Sequence, residues 1–131
     1  MSQRIRRGLL GAVCAFALCT NAFADGMFSD RYNYPAGDGP HSVAVGDLNG
    51  DEWLDLAVAN IGSDSVSVLL GLGDGTFAAA AHYAGGDVPQ SVAIGDVTGD
   101  GQNDVITSNW HTGNVSVLVN KYLVTAPPGG P

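Results

Sequence analysis

Basic residues, thiols and long apolar runs are all scarce in this chain. Only five of its 131 residues are Lys or Arg, which leaves little to grip nucleic acid or anionic lipid. Both cysteines, Cys14 and Cys19, fall before residue 25. The chain beyond that point has no thiol, so disulfides cannot staple it even in an oxidising compartment. The apolar run from Gly8 to Cys19 is about a dozen residues, too short for a stable membrane anchor. The sequence also lacks a Gly-x-Ser-x-Gly elbow, a phosphate loop and a His-Glu-x-x-His pair. Its three imidazoles, His41, His82 and His111, have no cysteine or second histidine at ligand spacing and are expected in surface loops.

What the first residues do contain is ordered. Arg4, Arg6 and Arg7 precede the apolar run, and Ala22-Phe23-Ala24 follows it. A basic segment, a short apolar segment and small residues at a cleavage position make a signal peptide, residues 1–24, cut after Ala24. The exported product then keeps Arg31 and Lys121 against thirteen carboxylates, a net charge of −11. Such a chain favours cations as partners. Its length suits one domain with a modest core.

The centre of the sequence is an internal repeat. Residues 25–73 align with 74–122 at a constant offset of 49, without gaps, and about two-fifths of the aligned positions are identical. Ser42-Val43-Ala44-Val45-Gly46-Asp47 lies over Ser91-Val92-Ala93-Ile94-Gly95-Asp96, and Val66-Ser67-Val68-Leu69 over Val115-Ser116-Val117-Leu118. A period near fifty indicates a solenoid, propeller or array. Short apolar runs bounded by Gly, Asp, Asn and Pro predict strands over 42–45, 54–59, 66–70, 77–83, 91–94, 104–108 and 115–119. Residues 28–34 repeat the fourth of these, giving eight strands and an all-β fold of two four-stranded blades. Residues 123–131, rich in Pro and Gly, read as a tail.

Each copy holds one dense carboxylate loop. Asp47, Asn49, Asp51 and Asp55 occupy positions one, three, five and nine of the first; Asp96, Thr98, Asp100 and Asp104 occupy them in the second. The residues at position seven, Trp53 and Gln102, can add a backbone carbonyl. An all-oxygen set of this density suits calcium, which takes six to eight oxygens in flexible geometry. The flanks are strand-like and the last carboxylate comes at nine, which excludes a helical calcium hand. The competing explanation is that Asp, Asn and Gly gather here only as turn formers. Glu52 stands where the second loop has Gly101, a position suited to positive φ, so the first loop is expected to be the more strained by about 1 kcal/mol.

With the Asp-Gly-Thr-Phe turn, the Val-Ala-Ile-Gly-Asp strand, the Gly-Asp-Gly-x-x-Asp loop and Val-Ser-Val-Leu in view, the chain resembles the FG-GAP or VCBS repeat family. The resemblance covers residues 25–120. It implies propeller blades like those of the integrin α-subunit head, with calcium held between the first two strands of a blade by the loop residues named above. Glu52 and Thr98 depart from the family pattern. So does the number of copies, because two blades cannot close a ring and their edges would need self-association or further sequence to cover them.

The chain is therefore expected to be a secreted, periplasmic or cell-surface protein, a non-catalytic calcium-binding module for adhesion or for a protein or glycan ligand. The alternatives are one end of a larger exported propeller enzyme, or a structural homo-oligomer that completes a ring. Trp53 and Trp110 are expected to pack between blades, with stacking on a sugar as the second option. Asn114-Val115-Ser116 matches a glycosylation sequon, a weak signal at three residues.

Overall fold

The computed structural model describes residues 26–122, and every regular element among them is a β-strand. One antiparallel sheet contains β1 (Pro40–Gly46), β2 (Asp55–Asn60), β3 (Ser65–Leu69) and β4 (Ala81–Ala84), in that order. A second contains β5 (Pro89–Gly95), β6 (Asp104–Asn109) and β7 (Asn114–Leu118). All of these strands lie within the unit Tyr34–Pro131. The leader and the Pro/Gly-rich tail read from the sequence lie outside the described residues.

The repeat is visible in the ladders. Val43 pairs with Val58 and Val45 with Leu56; at the same offset Val92 pairs with Thr107 and Ile94 with Val105. Each first strand begins at a proline, and the register shifts between Pro40 and Ser42 and again between Pro89 and Ser91. Proline has no N–H for a ladder, so it is tolerated on an edge strand at an irregularity, which is where both prolines stand.

Two strands differ from expectation. Residues 28–34 form no strand, so the two sheets have four and three strands instead of the four each expected for two blades. The reason is one of order along the chain. The ladder of β4 is supplied by β3, which precedes it, whereas among the described residues no strand precedes residue 28. The strand expected over 77–83 is also shorter, running only from Ala81 to Ala84, while Phe77 makes an isolated bridge to Gly71 and stacks edge-on against Tyr34 with centroids 5.3 Å apart. The four-stranded sheet thus takes its last strand from the second sequence copy.

The core lies between the sheets. In-facing residues alternate along each strand, so Ala57, Ala59 and Val66 of the first sheet meet Val92 and Val105 of the second, with Leu48 from the first loop. Ala44, Val68, Ile94 and Leu118 pack around this cluster. Small residues on the first sheet let the backbones approach: a Cβ on Gly46 would come within 2.8 Å of Ile94. At the strand ends, buried Asn60 donates to Ser65 and Ser67, and buried Asn109 to Asn114 and Ser116. These bonds satisfy the amide nitrogens, which would otherwise be costly inside the sheets, while the Asn60 Oδ1 is buried without a partner.

Gly71 is enclosed by backbone, and a Cβ there would press on the Leu54 carbonyl. Gly71→Ala is therefore expected to cost about 2 kcal/mol through overpacking, read as a lower denaturant midpoint; an unchanged midpoint would show that this corner is not packed as described.

Candidate functional site

Each carboxylate loop joins the first two strands of its sheet, β1 to β2 and β5 to β6, and the same bonds shape both. In the first loop Asp47 accepts the amides of Gly50 (2.7 Å) and Glu52 (2.9 Å), and Asp51 accepts that of Trp53 (2.9 Å). In the second, Asp96 accepts Gly99 (2.7 Å) and Gly101 (2.8 Å), and Asp100 accepts Gln102 (2.9 Å). Aspartate side chains that accept amides a few residues ahead are turn formers. The carboxylates thus perform turn chemistry, and the two copies perform it with the same atoms.

The ninth-position carboxylates behave differently. Asp55 and Asp104 are fully buried at the first residue of β2 and of β6. Asp55 accepts the Leu48 amide (2.7 Å) on one oxygen and the Gly71 amide (2.8 Å) on the other. Asp104 accepts Val97 (3.1 Å) and Thr98 (3.2 Å) on one oxygen and Asn120 (2.9 Å) on the other. Each therefore clamps the loop to the chain leaving the third strand. Gly71 and Asn120, a repeat pair, were not singled out in the sequence. Their equivalence at the offset of 49 was the available signal, but glycine and asparagine share no side-chain chemistry to mark it, since the amide alone is used.

Charge follows from this geometry. The Asn120 amide holds the Asp104 carboxyl below its ordinary value of 3.8; burial pushes it up, and the Thr98 amide and hydroxyl and the Val97 amide add to the lowering. At the turn between β3 and β4, the Thr76 hydroxyl and then its amide hold Asp74 below the same value.

The donor positions of the second loop converge in part. The Thr98 hydroxyl lies 3.5 Å from Asp96 Oδ1 and 3.2 Å from Asp104 Oδ2, which brings positions one, three and nine together. In the first loop the Asn49 amide donates to Asp51 (3.0 Å), joining positions three and five. Asp51 and Asp100 are exposed. Among the described residues no three carboxylate, His or Cys groups are already gathered about one point. The loops of the two copies adjoin: Asn103 donates to the Asp47 carbonyl (2.9 Å), and a cavity of about 120 Å³ between them is lined by Asp47, Asn49, Gly101 and Gln102, whose Oε1 is buried without a hydrogen-bond partner. Hard oxygen donors with a spare lone pair of this kind suit calcium's chemistry.

Trp53 and Trp110 do not pack between the blades: they are 52% and 71% exposed. Trp53 lies against Gly73 of the β3–β4 turn, and Trp110 sits on the turn after β6, beyond the last ladder pair. Of the histidines, only His111 is in a loop, 2.8 Å from Asp87; His41 is on β1 and His82 on β4. His82 Nδ1 lies 2.9 Å from the Ser67 hydroxyl, but that serine is fully buried and also receives Asn60 and the Gly37 amide. Such a hydroxyl is part of a buried hydrogen-bond network.

Residues 47–107, both loops included, match the family model of the FG-GAP-like repeat. No curated protein and no solved structure matches the chain.

Glu52 adopts φ 70°, where its counterpart Gly101 adopts 88°. Glu52→Gly is expected to raise stability by about 1 kcal/mol, measured by chemical denaturation; a loss would mean that the Glu52 side chain stabilises the loop by more than its backbone strain costs. For Asp104 the unfolded carboxyl binds its proton more tightly than the folded one, so the stabilisation is present above pH 3.8 and is lost as pH falls below it. Asp104→Asn should reduce that acid-range fall in melting temperature; an unaltered acid profile would remove Asp104 from the linkage.

Proposed function

The chain carries an FG-GAP-like repeat across residues 47–107, and on that premise we propose that it is an exported, non-catalytic binding or adhesion module of the β-propeller type whose loops are ordered by calcium. One observation carries the reading: two loops, 49 residues apart, use oxygen-bearing side chains at the same four positions and the same backbone bonds to hold them. Turn chemistry alone needs one or two such side chains in a loop. The three aspartates at positions one, five and nine of each loop repel one another, and a divalent cation removes that repulsion.

Asp47, Asn49, Asp51 and Asp55 would hold the ion in the first loop, and Asp96, Thr98, Asp100 and Asp104 in the second, with carbonyls from Trp53 and Gln102. Calcium supplies charge neutralisation there and no chemistry of bond making or breaking. The chain's own residues do the rest. Asp55 and Asp104 fix the loop to the third strand, Asp47 and Asp96 set its turn, and the exposed Asp51 and Asp100 are the carboxylates free to swing inward. A loop fixed in this way presents the neighbouring surface, including exposed Trp53, to a protein or glycan ligand at little cost in ordering.

Export rests on the leader read from residues 1–24 and on the repeat family, which is typical of extracellular proteins. Among the described residues no helix is long and apolar enough to cross a membrane.

Thermal unfolding of the purified chain in calcium and then in chelator tests the reading. Calcium at about 100 times its dissociation constant should add about 2.7 kcal/mol per site, seen as a rise in melting temperature. Asp51→Ala with Asp100→Ala should abolish the rise while leaving the fold intact, because each side chain accepts only local bonds. An identical melting temperature in calcium and chelator would reduce the carboxylates to turn residues.

A further inference from the structure

The two sheets are copies displaced by 49 residues, so each residue at the interface between them has a counterpart on one of the two outer faces. The inner interface seats the Val92 and Ile94 face of the second sheet on the Ala44, Ala57 and Val66 face of the first. The counterparts of Val92 and Ile94 are Val43 and Val45, and these are 59% and 58% exposed. The counterparts of Val66 and Val68 are Val115 and Val117, 63% and 47% exposed. Among the described residues, exposed valines thus stand on both outer faces, while Leu69, the counterpart of Leu118, is buried.

The glycines sharpen this. Inside the chain, Ile94 covers Gly46 so closely that a Cβ would meet it at 2.8 Å. Gly95, the counterpart of Gly46, faces open space, with nothing within 4 Å of an added Cβ. The side chain that corresponds to Ile94 is Val45. Leu48, buried by the second sheet, corresponds to Val97, which is 57% exposed; Asn103, which clasps the first loop, corresponds to Leu54, 61% exposed. Where the inner interface has a polar clasp, the outer faces offer an apolar pair instead.

We propose that the chain binds further copies of itself head to tail, the β1–β2 face with Val43 and Val45 of one copy seating on the β5–β7 face with Gly95, Val115 and Val117 of the next. The inner interface is the template for the outer one. Because the two faces differ, the contact is heterologous, and successive copies either close into a ring or extend as a filament. Either outcome buries apolar surface that a monomer leaves in water. The inference stands on repeat equivalence and is independent of calcium.

The test is sedimentation of the full chain over a range of concentrations. The protein should sediment at multiples of its own monomer mass; a monomer at all concentrations would overturn the proposal. Gly95→Val puts a β-branched side chain into space that is empty in the single chain, and Val45→Glu places charge on the other face. Each should weaken association about tenfold or more, with melting of the diluted monomer close to that of the parent. Mixing the two variants supplies one intact face of each kind, so a one-to-one dimer and nothing larger should form. Assembly of either variant as strong as that of the parent, or no heterodimer on mixing, would overturn the head-to-tail arrangement.

Discussion

A buried carboxylate holds each sheet together at its loop end. Asp55 and Asp104 have no access to solvent, and such a group is tolerated only when its oxygens are filled. Backbone amides fill them from two directions, the loop on one side and the chain after the third strand on the other. The requirement that the acid be satisfied therefore fixes where the loop closes, where the third strand ends, and how Leu48 or its counterpart Val97 is presented. The exposed loop carboxylates stand on this clamp.

The clamp also explains how the described residues, which include no thiol and build only a modest core, keep a defined shape. Apart from Leu48, the core cluster is made of alanines and valines, Ala57, Ala59, Val66, Val92 and Val105, and such small residues supply close approach more than buried area. Polar connections between the sheets supplement it: Asn120 donates to the Leu48 carbonyl (2.6 Å) and Asn103 to the Asp47 carbonyl (2.9 Å). Both asparagines come from the second copy, and their counterparts in the first, Gly71 and Leu54, cannot donate from a side chain. At these two positions only the second copy reaches across to the first.

Positive φ shows the same divergence in the backbone. Val88 adopts φ 54° where Gly39 adopts 64°, and Asp64 adopts 50° where Gly113 adopts 66°. A β-branched residue in this region is unusual. The Val88 amide donates to the Asp64 carboxylate (2.8 Å), and the Trp110 amide to the Val88 carbonyl (3.1 Å). The strained residue is held by bonds that reach from the β2–β3 turn to the start of β5 and on to the end of β6.

The sequence by itself determined the local order: strands where apolar residues alternate, loops where Gly and Asp gather, and a repeat of 49 residues that recurs in the ladders. Its period identified the repeated unit, and the loop positions that carry oxygen follow from spacing alone. Tertiary structure decided the rest. Whether residues 28–34 become a strand depends on a partner strand, which is a matter of chain order and not of composition. Exposure of Trp53 and Trp110 depends on which face has a neighbour. The burial of Asp55 and Asp104, as against the exposure of Asp51 and Asp100, depends on where the third strand returns, and like residues in one loop carry no local mark of that return.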